Sequence, residues 1–145
     1  MKTNSHITEK FSVKRIIIAA LSFMMLGTVL ELYLLNHFED WLQFIPFVCI
    51  FASAIMMIVL MLKQSEIIQK LFVFLMIATA MCGMYGIYLH LSVNFQFEQE
   101  MTPSHSNWDL FVESLSGAIP TLAPGSLIVL ALIGYSYIKL IKQNQ

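Results

Sequence analysis

The stretch WLQFIPFVCIFASAIMMIVLML, from Trp41 to Leu62, decides the fold: it runs 22 residues without a charged side chain. A bilayer core about 30 Å thick takes roughly 20 apolar residues per spanning helix. Three further stretches of this kind lie around it. One runs from Ile16 to about Leu35, one from Leu71 to about Leu91, and one lies within Leu110 to Ile138. The first reads as a retained helix rather than a signal peptide. Its apolar run is too long, and no small-x-small cleavage site follows before Glu31.

Composition supports the same class. Of 145 residues, 58% are hydrophobic and 12% charged, with a mean hydropathy of +0.75. An average soluble domain carries about 25% charged residues. A disordered chain, a nucleic-acid binder and a water-soluble globule all need more charge than this. The connections 36–40 and 63–70 are short, 93–107 is longer and holds the turn-like Thr102-Pro103-Ser104, and no repeat or second domain is visible. The expectation is one all-α domain over 1–145, an up-down-up-down integral membrane four-helix bundle.

Charge placement orients it. Lys2, Lys10, Lys14, Arg15, Lys63, Lys70, Lys139 and Lys142 all fall in the two tails and the second connection. With four spans these segments share one side, so the positive-inside rule predicts a cell (plasma or inner) membrane protein with both termini cytoplasmic. Trp41 and Trp108 open spans from the other side, as interface anchors do.

That other side is acidic. Only Glu9 and Glu66 fall with the basic residues, whereas Glu31, Glu39, Asp40, Glu98, Glu100, Asp109 and Glu113 lie opposite, with His37, His90 and His105. Avoidance of Lys and Arg for insertion explains the missing bases. It explains the acids less well, because acids contribute little to topology. Carboxylates and imidazoles here suit cations and borderline metals.

Depth sharpens the candidate site. At about 1.5 Å per residue, Glu31 lies roughly 24 Å from Arg15, and His90 roughly 30 Å from Lys70. Pro46 lies roughly 25 Å from Lys63, and Pro120 roughly 28 Å from Lys139. Four unusual residues on four spans thus reach a similar level. A carboxylate at the depth of Glu31 is expected to face the interior with a partner, as metal ligand, proton carrier, ligand clamp or plain interhelical tie.

On the third span Ala78, Cys82, Gly86, His90, Asn94 and Glu98 recur every four residues. Such a stripe stays near one face, with small members for close packing and polar members continuing as a stalk beyond the bilayer. It supplies His90, Asn94 and Glu98 to a shared ligand or water network, or simply packs and then faces solvent. The fourth segment carries Pro120 and Pro124, flanked by Gly117 and Gly125, and is expected to be kinked or broken there. Pro46 and Gly125 are further kink candidates. Broken backbone at this depth needs protein or a watery cavity to satisfy it, and Ser and Thr side chains are one source.

Ligand-binding or proton-handling candidates are therefore Glu31, His90, Asn94, Glu98 and Glu113. A divalent metal would take Glu31, His90 and Glu98, with His37 as an outlying ligand. His37 reads as an exposed loop residue, His105 has no partner pattern, and His6 sits in the tail. A non-covalent haem between His37 and His90 is the less favoured cofactor. Cys49 and Cys82 reach similar depths and can meet, with Met24, Met56 or Met84 as soft neighbours, although cysteine and methionine are ordinary core fillers.

No Walker loop, G-x-G-x-x-G, H-E-x-x-H, G-x-S-x-G or haem-attachment C-x-x-C-H occurs. The functional expectation is a polar Glu/His site near the extracytoplasmic side that binds a metal ion or cation or handles protons. One alternative is a non-catalytic accessory or assembly subunit of a larger membrane complex. Another is a metal- or haem-dependent membrane enzyme. Partners expected are the lipid bilayer and a homo-oligomer or larger complex, with no nucleic acid.

Overall fold

The computed structural model describes the backbone of residues 2–143 and the side chains of 13–143. The side chains of Lys2, His6, Glu9 and Lys10 lie outside that range. The described residues form five α-helices: α1 (Lys2–Leu34), α2 (Phe44–Leu62), α3 (Glu66–Met101), α4 (Asn107–Leu115) and α5 (Gly125–Lys142). A single 3-10 turn, Trp41–Gln43, leads into α2. Four of the segments are long and apolar enough to cross a membrane: Val13–Leu34, Trp41–Leu62, Glu66–Met101 and Gly125–Lys142.

Local chemistry sets the helix ends. Asn36 adopts a left-handed φ of 51°. The His37 N–H then reaches back to the Leu32 carbonyl at 2.9 Å, closing α1 in the manner of a Schellman turn. Asp40 accepts the Trp41 N–H at 2.6 Å and starts the 3-10 turn. Ser65 caps α3 through the Ile68 N–H. Ser106 and Asp109 form a reciprocal cap on α4, with Oγ to Oδ2 at 2.7 Å and the Asp109 N–H to Oγ at 3.2 Å.

Helix α3 is the spine. It packs most extensively on α5, then on α2, and also on α4. Helix α1 lies mainly against α5 and touches α2 only slightly. The core is formed by Leu21, Met25, Ile50, Met57, Leu60, Phe72, Met76, Leu127, Leu130, Tyr137, Ile138 and their neighbours. At the basic end, the Lys14 ammonium lies 5.9 Å from the Tyr137 ring centroid.

Pro46 sits in the first turn of α2, where its missing N–H removes no helical bond, so it does not interrupt that helix. The fourth segment, read within 110–138 as kinked or broken at Pro120 and Pro124, has its helix interrupted there. Helical structure stops at Leu115 and resumes at Gly125, with Pro124 in the N-cap position. Only Gly125–Lys142 is then long and apolar enough to span. Helix α3, by contrast, continues well past Leu91. Its 36 residues reach about 54 Å, longer than the hydrocarbon core.

Candidate functional site

The site lies at the acidic end, where the irregular segment 116–124 rests on α3. Glycines make the approach possible. A Cβ on Gly83 would stand 2.8 Å from the Pro124 carbonyl oxygen, and one on Gly86 would stand 2.7 Å from the Pro124 Cβ. Neither distance is tolerable, so this face of α3 is a seat for Pro124. A Cβ on Gly117 would likewise come within 2.5 Å of the Asn94 side chain.

Asn94 holds the segment. It is 1% exposed, and its Nδ2 donates to the Ile119 carbonyl at 2.7 Å. The second Nδ2 hydrogen faces Thr121 Oγ1 at 2.9 Å and the Ser114 carbonyl at 3.0 Å. Its Oδ1 accepts the Ile119 N–H at 3.0 Å. The Thr121 hydroxyl donates in turn to the Ser114 carbonyl at 2.9 Å. One amide therefore satisfies both backbone groups of Ile119, as a neighbouring strand would. Asn94 is thus committed to backbone, whereas the sequence reading placed it in a ligand network.

One turn earlier on α3, His90 Nδ1 lies 2.8 Å from the Pro120 carbonyl oxygen. A carbonyl only accepts, so Nδ1 carries the proton, and Nε2 is the ring nitrogen left outside this bond. The His37 ring stands beside it, with centroids 6.2 Å apart and planes at 68°. His37 is half-buried rather than a free loop side chain. Desolvation by burial, then the neighbouring His90, hold its pKa below the ordinary value of 6.5. Neutral imidazoles with one free nitrogen are proton acceptors and metal ligands.

The carboxylates are placed differently. Glu31 is exposed on the outer side of α1, not turned into the bundle as expected. Glu98 is half-buried on α3. Glu113 pairs with His105, Nδ1 lying 3.2 Å from Oε1 and Oε2, a partnership the sequence reading missed. Among the described residues, no three His, Cys, Asp or Glu side chains converge as a metal cage would require, so Glu31, His90 and Glu98 do not form one. A shallow hollow lined by Tyr88, Leu91, Ser92, Phe95, Gln96 and Phe111 opens between α3 and α4 and is mostly apolar.

The histidine pair was only partly readable in advance. His90 stood out by its depth and Pro120 by its break. The signal for His37 was Asn36, a residue suited to the left-handed turn that folds His37 back over the end of α1. The four apolar helices fit a small polytopic membrane protein. Compared with known protein families, curated proteins and solved structures, the chain matches none.

Proposed function

We propose that this membrane protein binds a cation, either a proton or a borderline divalent metal, at a site formed by His37 and His90 on the extracytoplasmic side. The single observation that carries this reading is the hydrogen bond from His90 Nδ1 to the Pro120 carbonyl, 2.8 Å, with His37 alongside. Metal-binding histidines characteristically donate their other nitrogen to a carbonyl in this way, which fixes the tautomer and raises ligand basicity. Glu31, Glu98 and Glu113 add negative potential at this end, and the absence of Lys and Arg there keeps it unopposed. By the positive-inside rule, both termini lie in the cytoplasm.

The test is elemental analysis of gently purified protein, followed by zinc titration of the wild type and of His37→Gln and His90→Gln. Stoichiometric metal, or a zinc affinity lost in both variants, supports the metal form. A metal-free protein whose two histidines titrate as a coupled pair supports the proton form. Stoichiometric iron with a haem absorption band transfers the site to the haem-dependent alternative. Unchanged binding and titration in both variants refute the site.

A second reading rests on Glu31. It is exposed on α1 among Phe23, Leu26, Leu30 and Leu34, which are exposed too. A carboxylate on such a face costs several kcal/mol unless a partner covers it. An accessory-subunit role supplies that partner. A stoichiometric protein that co-purifies with the wild type and is lost with Glu31→Leu favours it.

A further inference from the structure

The hollow between α3 and α4 stands apart from the histidine pair. Tyr88, Leu91, Ser92, Phe95 and Gln96 line it from α3, and Phe111 closes it from α4, around a volume of about 310 Å³. Such spacing along α3 is that of a single helical face. His90 and Asn94 leave α3 on a different face, toward segment 116–124. One turn beyond Gln96, the face of the hollow continues to Glu100. Glu100 is exposed and forms no ion pair among the described residues. On α4, Trp108 extends the aromatic wall, its ring centroid 5.7 Å from that of Phe111 and its plane tilted by 32°.

Depth and charge decide what fits there. At about 1.5 Å per residue, Tyr88 lies roughly 27 Å and Gln96 roughly 39 Å from Lys70 along α3. A hydrocarbon core about 30 Å thick therefore ends within the hollow. Its inner part meets acyl chains and its outer part meets headgroups and water, so an occupant that fills it is amphipathic. The surroundings set the sign of its charge. No Lys or Arg occurs between Lys70 and Lys139, whereas Glu98, Glu100, Asp109 and Glu113 all fall in that interval. This end repels anions and concentrates cations. The wall itself carries three aromatic rings and no His, Cys, Asp or Glu. A metal ion needs ligating atoms that such a wall does not hold, whereas aromatic ring faces attract a quaternary ammonium group.

We infer that this hollow binds a lipophilic quaternary ammonium compound taken up from the outer leaflet of the membrane. Its apolar part lies against Tyr88, Leu91 and Phe95, and its ammonium group lies toward Phe111. Glu100 supplies the counter-charge from the next turn of α3. A choline lipid carries the same ammonium group with a phosphate attached, and the acids at this end oppose that phosphate. The site uses no ring nitrogen and is independent of the cation proposed at His37 and His90.

The experiment measures binding of radiolabelled benzyltrimethylammonium to the full-length protein in nanodiscs of phosphatidylethanolamine and, separately, of phosphatidylcholine. Empty nanodiscs set the background. The expected result is saturable binding in both lipids that neopentylbenzene, with carbon in place of the charged nitrogen, does not displace. Glu100→Gln and, separately, Phe111→Leu weaken it by roughly 3- to 10-fold while eluting as the wild type does. Phe111→Tyr, which keeps the ring, retains it. Uptake no greater than in empty nanodiscs overturns the proposal. So does full displacement by neopentylbenzene, which makes the hollow an apolar surface only. Binding that vanishes in phosphatidylcholine overturns it in favour of a lipid headgroup. Binding lost in His37→Gln but unchanged in Phe111→Leu overturns it in favour of the histidine pair.

Discussion

Asn94 shows how one side chain can replace a stretch of secondary structure. The nine residues 116–124 lie between α4 and α5 and lack a helical ladder. An amide offers donor and acceptor at the spacing of a peptide, and Asn94 presents both to Ile119. Replacing it with leucine keeps the approximate volume and strands these groups. Unsatisfied buried backbone groups cost about 1–3 kcal/mol each, so Asn94→Leu is expected to lower stability by about 2–4 kcal/mol. Denaturation in detergent measures this, and Asn94→Gln should not restore the full loss, because its longer arm cannot meet Ile119 in the same register. His37 makes a second prediction at this scale. Its folded pKa lies below its unfolded value near 6.5. The folded state therefore binds fewer protons than the unfolded state, and the contribution of His37 to stability is present above that value. It is lost as pH falls through the folded pKa. Thermal melts from pH 7.5 to 5 should show the wild type losing more stability than His37→Gln.

At the scale of elements, the contact between α3 and Pro124 seats the irregular segment at the acidic end. Gly83 and Gly86 leave no room for a side chain there. Gly86→Leu is expected to displace Pro124 and destabilise the protein by about 1–3 kcal/mol, the usual cost of overpacking. It should also separate His90 from Pro120, so histidine titration changes along with the melting temperature. Gly27 provides the control: nothing lies within 4 Å of a Cβ built there, and Gly27→Ala is expected to be neutral or mildly stabilising. This layer was half legible. The every-fourth-residue stripe identified Gly86, His90 and Asn94 as one face. Gly83 lies off that stripe, and only the position of Pro124 gives it meaning. Nor does periodicity tell whether a buried asparagine meets a ligand or a backbone. The partner is 25 residues away in sequence, and no local signal encodes it.

For the whole molecule, hydropathy alone located the apolar segments, because span length follows from bilayer thickness. The prolines at 120 and 124 marked the interruption of the fourth segment, but not that the stretch long and apolar enough to span begins only at Gly125. The pairing of helices was not legible: α1 chooses α5 over its sequence neighbour α2. Basic residues gathered at one end predict that both termini share a compartment. Single cysteines at Thr3 and Gln143, in a background with Cys49 and Cys82 replaced by serine, should therefore react with an impermeant maleimide only after the cytoplasmic face is opened. A cysteine at Ser104 should react in intact cells.

The most direct test of the histidine site is nitrogen NMR of protein labelled in histidine and reconstituted in nanodiscs. The account predicts that His90 carries on Nδ1 the proton it donates to the Pro120 carbonyl, and that His37 and His90 shift together on addition of zinc. A His90 with no proton on Nδ1, or two histidines that respond independently, would contradict it.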